Sequence, residues 1–270
     1  MIRWQRAADG ALWRLCASTL ELGEEARQQV ARLEPAREAS QPCVLGPHEA
    51  WRKGGALAGK ARLRHGVRLR LGQGLPRLRE AANLEWLAAH LFEVPRPLAA
   101  AARIERGLPR AQWLWTTRLE DAAPLEERWP LLPEPVRAAL LEELAREVAR
   151  MHALGFVHRD LFVRNLMHRV GSARQLVFLD CWRGGPSWGL RGPAWDVGCL
   201  LSDLVDWAGD RPASRWLEAY LAERTAQDRP VRREAFVRQA LRARAAVLRR
   251  LARQPERLHG RALPTVDWRP

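Results

Sequence analysis

The sequence predicts an α+β fold of two lobes, a small β-rich N-terminal lobe over residues 1–118 and a larger helical C-terminal lobe over 119–270. Three observations predict it. The first is the run VHRDLFVRNLMH, which holds His158, Arg159, Asp160 and Asn165 and is followed by Asp180 at the end of the strand-like LVFLD. The second is a hairpin bearing one of the few lysines, followed by a helix that carries glutamates. The third is a long amphipathic helix that leads straight into the first run.

The chemistry follows from spacing. An aspartate, an asparagine five residues on and a second aspartate fifteen beyond that match what phosphoryl transfer from a Mg-bound nucleotide requires. One carboxylate orients the attacking hydroxyl, while an amide and another carboxylate hold the metal. The chain therefore reads as a kinase using ATP and Mg2+. HRD alone would arise by chance in an arginine-rich chain, so its context matters. From Glu134 to Met151 the apolar positions Val136, Leu140, Leu144, Val148 and Met151 share one helix face, and Gly155 stops the helix just before the loop.

Upstream, PCVL, the turn LGPH and EAWRK read as a hairpin with Lys53 on its second strand. Of 45 basic residues only Lys53 and Lys60 are lysines. A phosphate-contacting position needs the compact ammonium rather than a guanidinium. Lys60, in GKARLRHG, is expected in a solvated loop. The segment LPRLREAANLEWLAAHLF is helical, with Glu80 and Glu85 both on it. Glu80, beside the apolar stripe of Ala81 and Leu84, is the preferred partner of Lys53, against the plain account of two surface glutamates near a helix N-terminus. EVPRPLAAA then runs extended, Gln112–Thr117 forms a strand, and Glu120 and Asp121 turn the chain into the second lobe.

The loop that would cover phosphates is the weak element. Between Arg14 and Leu45 there is only Gly23 and no GxGxxG. Either Ala39, Ser40 and Gln41 build it from small residues, or nucleotide binding is impaired and the chain is a non-catalytic scaffold.

Composition narrows the remaining classes. With 47% hydrophobic residues the chain can bury a proper core, and no apolar run nears the roughly 20 residues that span a bilayer. MIRWQRAADGALWRL lacks a signal-peptide core, so a cytoplasmic protein is expected, with peripheral contact at the inner face of the inner membrane as an addition. The scattered Cys16, Cys43, Cys181 and Cys199 suggest neither zinc nor disulfides. A net charge of +14 favours anionic partners. No zinc-finger or recognition-helix pattern accompanies it, so nucleic acid is not expected. VRREAFVRQALRARAAVLRRLAR, with Val237, Leu241, Leu248 and Leu251 on one face, is a basic amphipathic helix. It either meets an anionic membrane or packs on its own lobe. Trp182, Trp188 and Trp195 near the acceptor side could stack on sugar rings, though core packing explains most tryptophans.

ELAREVARMHALGFVHRDLFVRNLM and LVFLDCWRGG, with REAANLEWL, VPRPLA, AWDVGCLLSDL and the 27-residue interval from Lys53 to Glu80, resemble the lipopolysaccharide kinase family of Kdo and heptose kinases, within the protein-kinase-like superfamily. The resemblance covers roughly residues 43–208. It implies that Asp160 orients or deprotonates the acceptor hydroxyl, Asn165 and Asp180 bind Mg2+, Lys53 paired with Glu80 contacts the phosphates, and His158 and Arg159 support the loop. Asp196 in PAWDVG would brace that loop through its backbone. The implied acceptor is a lipid-linked inner-core sugar. Cys181 and Trp182 stand where protein kinases have Phe-Gly, and Phe162 replaces their loop lysine, with Arg164 as a candidate substitute. These departures argue against peptide substrates. A soluble small molecule or a protein remains the alternative acceptor.

Overall fold

The computed structural model describes residues 4–6, 12–14, 24–33, 39–72, 74–171, 174–187, 189–227, 229 and 231–254. Gly23, Cys16 and Trp188 lie outside the described residues. The chain divides into two compact units, Met1–Glu120 and Asp121–Pro270. The first is built on a sheet and the second on helices.

The first unit runs β1 (Trp4–Arg6), β2 (Leu12–Arg14), α1 (Glu24–Ala31), β3 (Ala39–Leu45), β4 (His48–Ala56), α2 (Gly59–Arg70), α3 (Pro76–Ala89), β5 (Pro97–Glu105) and β6 (Leu108–Thr117). Its described strands form one sheet in the order β1-β2-β5-β6-β4-β3, antiparallel at every pairing. The expected hairpin is β3–β4, with Lys53 opposite Ser40 on one side and Leu114 of β6 on the other. Gly54 follows at φ +129°, where a Cβ would stand 2.1 Å from the Gln112 carbonyl oxygen. Only glycine lets β4 and β6 approach this closely beside the lysine. The hydrophobic side is made by Ala26, Val30, Leu45, Leu98, Trp113 and Trp115.

Two expectations fail here. Ala39, Ser40 and Gln41 are not a phosphate-covering loop; they are the start of β3, paired with Gly54, Lys53 and Arg52. Lys60 is not in a loop either. It lies in the first turn of α2, whose His65 and Gly66 are buried and whose position is set by packing against β6 rather than by an N-cap, since Ala58 offers no side-chain cap.

The second unit begins with β7 (Ala122–Pro124), α4 (Leu125–Arg128) and α5 (Glu134–Ala153). It continues through β8 (Phe156–Val157), β9 (Leu166–Arg169), β10 (Leu176–Phe178) and β11 (Gly185–Pro186) to α6 (Arg191–Ala208), α7 (Asp210–Ala226) and α8 (Arg233–Arg253). The α5 helix buries Leu140, Leu144, Val148 and Met151, the face its 3.6-residue periodicity dictates. Gly155, at φ +79°, then turns the chain into β8. The loop between β8 and β9 and the bend after β10 carry the motif residues, while β9 and β10 pair as a hairpin that holds them side by side.

Helix α8 packs largely on its own unit. Its apolar side, including Phe236, Ala240, Val247, Leu248 and Leu251, is buried, and it packs on α6. The crossing is tight at Gly198, where an added Cβ would sit 2.7 Å from Ala243 Cβ and 2.8 Å from the Ala240 carbonyl oxygen. Of the expected membrane face of α8, Leu248 and Leu251 are spent on the unit's own core, while Val237 and Leu241 are half-buried. Trp216, Tyr220 and Phe236 stack in a column with ring centroids 5.7 and 5.5 Å apart. Each such pair adds about 0.5–1.5 kcal/mol to simple burial.

Candidate active site

In the second unit one buried carboxylate organises the loop. Asp196, on the first turns of α6 and 0% exposed, accepts the backbone N–H of His158 at Oδ2 and that of Arg159 at Oδ1, both at 2.6 Å. Oδ2 also accepts from His152 Nε2 at 3.2 Å, so the neutral His152 ring presents Nδ1 to the Tyr220 hydroxyl, which donates at 2.8 Å. Arg159 stands at φ +62°, a conformation that costs a non-glycine residue about 1–3 kcal/mol. Two N–H bonds to one carboxylate offset that cost. Trp195 Nε1 donates to the Arg159 carbonyl at 3.3 Å and pins the same residue from its other side.

His158 faces inward. Its Nε2 donates to the Leu179 carbonyl at 2.8 Å, tying the loop to the strand end that precedes Asp180. Asp180 takes the left-handed conformation, φ +58° and ψ +37°, which turns the chain sharply after β10. Leu179 N–H donates to the Asn165 carbonyl at 2.9 Å, so the asparagine and the second aspartate are held on neighbouring backbone. Asn165 Nδ2 donates to the Asp160 carbonyl at 2.7 Å. Because a carbonyl only accepts, the amide nitrogen must face Asp160, and among the described residues no donor bonds its Oδ1. That oxygen and the Asp180 carboxylate are hard oxygen donors of the kind that would hold a Mg2+ ion.

Asp160 and Asp180 line a pocket of about 210 Å³ together with Arg159, Arg164, Trp195 and Arg250. Arg164 lies 3.9 Å from Asp160 Oδ1 and stacks on the Phe162 ring at 4.0 Å. The phenylalanine that stands in place of a lysine thus carries a cation on its face. Of the three tryptophans expected near the acceptor, Trp195 lines this pocket, while Trp182 holds the Arg183 guanidinium 4.7 Å from its ring. Cys199 and Cys181 are buried, and burial pushes the Cys199 thiol pKa up, with nearby aspartates adding to the effect.

In the first unit Lys53 Nζ bonds Glu80 Oε1 at 3.2 Å, with the lysine 20% and the glutamate 1% exposed. The second oxygen of Glu80 accepts from Arg77 at 2.8 Å. Glu80 rather than Glu85 is therefore the helix partner of Lys53. Buried between two cations, it has both oxygens committed, which fixes its rotamer and hence the place of the lysine.

Four residues were not singled out from the sequence. Arg77 precedes Glu80 by one helical turn, the spacing at which charges pair. Asp203 accepts the Val163 N–H at 2.8 Å; it lies two turns after Asp196 on α6, so one helix face grips the loop twice. His152 lies on the buried side of α5. Arg250 comes from α8, remote in sequence, and nothing local marks it.

The His152 environment gives an expected pH dependence. Burial lowers its pKa from 6.5, opposed in part by Asp196. A basic group whose folded pKa is depressed lets the unfolded chain bind the extra proton first. Its contribution is therefore intact above 6.5 and is lost as pH falls through the lower folded value. The urea midpoint should drop between neutral and mildly acidic pH, and His152→Gln, which cannot charge, should flatten that drop. Equal slopes for both proteins would refute it.

The lipopolysaccharide kinase (Kdo/WaaP) family model matches residues 43–196. No curated protein matches the chain. Among solved structures, WaaP in complex with acyl carrier protein is similar at 20% identity with a TM-score of 0.48, covering 84% of this chain and 87% of that one. A glucosamine kinase is similar at 14% identity with a TM-score of 0.45, covering 84% and 78%. The family match spans more than half of the sequence, and the chain belongs to the lipopolysaccharide kinase (Kdo/WaaP) family, as a phosphotransferase with a hydroxyl group as its acceptor.

Proposed function

We propose that the chain transfers the γ-phosphoryl group of ATP to a hydroxyl of an inner-core lipopolysaccharide sugar, Kdo or heptose. The observation that carries this is the pocket in which Asp160 and Asp180 meet Trp195 and three arginines, Arg159, Arg164 and Arg250. A sugar ring can lie on the indole, and guanidinium groups suit an acceptor bearing carboxylate or phosphate. Asp160 accepts the proton of the attacking hydroxyl. Arg164, beside it, faces the charge carried by the phosphoryl group in transit. Lys53, positioned by Glu80, contacts the α and β phosphates, and Asn165 and Asp180 hold the metal. The metal that these two side chains would hold would supply positive charge to neutralise the phosphates. His158, Arg159 and Asp196 keep the loop in the geometry this requires. Because the acceptor is lipid-linked, the reaction takes place at a bilayer surface.

The purified protein with Mg-ATP and lipid A carrying its core sugars should yield ADP and a product heavier by one phosphate in mass spectrometry. Lipid A core from cells lacking the protein should lack that phosphate. ADP formation with a soluble amino sugar or a peptide, and none with the lipid, would overturn the reading.

A further inference from the structure

We propose that the outer face of α2 docks the chain on an anionic bilayer surface. The inner side of this helix is fixed: His65 and Gly66 are buried, and a Cβ on Gly66 would meet Leu108 Cδ2 of β6 at 2.4 Å. The opposite side carries Leu63, Val67 and Leu71, which are 61%, 58% and 69% exposed. Successive members are four residues apart, a step that turns by about 40° on a helix, so the three form one line along its axis. Lys60, Arg64 and Arg70 flank that line and are exposed. The helix also contains Arg62 and Arg68, and it has no aspartate or glutamate.

Charge and shape together select the occupant. In water the three aliphatic side chains are a cost that no packing offsets. At a bilayer they enter the acyl boundary while cations at the same height meet lipid phosphates. A nucleic acid would engage the cations but leave the aliphatic line in water. Helix α8 is similarly basic and packs on α6, and it carries none of the strongly exposed large aliphatic side chains that α2 does. The inference rests on the proposed lipid-linked acceptor only for its purpose. Its test uses neither acceptor nor nucleotide, so either reading can fail alone.

The full chain should float with vesicles of mixed phosphatidylcholine and phosphatidylglycerol and not with phosphatidylcholine alone. Lys60→Glu with Arg64→Glu should weaken binding at least about tenfold, given roughly fivefold per cation near such a surface. Leu63→Ser, Val67→Ser and Leu71→Ser together should abolish it at unchanged charge. Arg242→Glu with Arg249→Glu on α8, an equal change of charge, should leave most of it. Equal losses from the α2 and α8 charge pairs, or full binding by the triple serine variant, would overturn the proposal. So would capture by an oligonucleotide or an acidic protein with the same variant dependence while vesicles are ignored. Should the triple variant fail to fold, hydrogen exchange on the unmodified chain decides. Protection of residues 59–71 by anionic vesicles supports docking, and its absence refutes it.

Discussion

Asp160→Asn is expected to lower kcat about 10³-fold, within the range spanned by loss of a general base, while the acceptor KM changes by less than about threefold. Asparagine keeps the size and planarity of the side chain but cannot accept the hydroxyl proton. Nothing in the loop frame depends on the carboxylate itself. Asn165 bonds the Asp160 backbone carbonyl, and the nearest cation, on Arg164, is 3.9 Å from Oδ1. The variant should therefore fold with an unchanged urea midpoint and still bind nucleotide, and single-turnover kinetics should place the whole loss in the chemical step. Turnover within about tenfold of the parent would move the base elsewhere or leave the acceptor hydroxyl to react without one.

The catalytic loop is legible in the sequence because its residues are close together and each must be one chemical type. Lys53 is legible for a related reason: arginine replaces lysine almost everywhere else. What the sequence conceals are interactions set by tertiary packing. The prolines of EVPRPLAAA mark Ala99–Ala102 as extended despite its helix-like composition, but nothing local places it as the buried stretch of β5 between β2 and β6. Helix α2 conceals itself in the opposite way. Gly59 and Gly66, no side-chain cap and no acid to favour its N-terminus make it look like a loop, and close approach to β6 supplies what local propensity lacks. Left-handed Arg159 and Asp180 carry no sequence signature; the conformation of Arg159 is held by bonds to Asp196 and Trp195, far along the chain. Arg250 reaches the pocket from α8 for the same reason.

Asp196→Ala should have the largest effect on stability of any single change at this site, and its effect on turnover should exceed its effect on folding. The substitution leaves the buried His158 N–H and His152 Nε2–H, and the part-buried N–H of Arg159, without their acceptor. Each orphaned buried donor costs about 1–3 kcal/mol. Relaxation shares part of that loss, so about 3–5 kcal/mol is expected in urea unfolding of the second unit, the range for breaking a buried charged network. Asn at the same place is not a rescue. Its amide offers one acceptor where two backbone donors converge, and its NH2 would face a donor. Arg159 also loses the bonds that hold its positive φ, so the loop can relax even in molecules that remain folded, carrying Asp160 away from the position its chemistry needs. Activity per folded molecule, from kinetics normalised by the folded fraction at each urea concentration, should accordingly fall by more than about tenfold. A stability loss below about 1 kcal/mol, or activity that merely tracks the folded fraction, would show that the loop keeps its shape without this carboxylate.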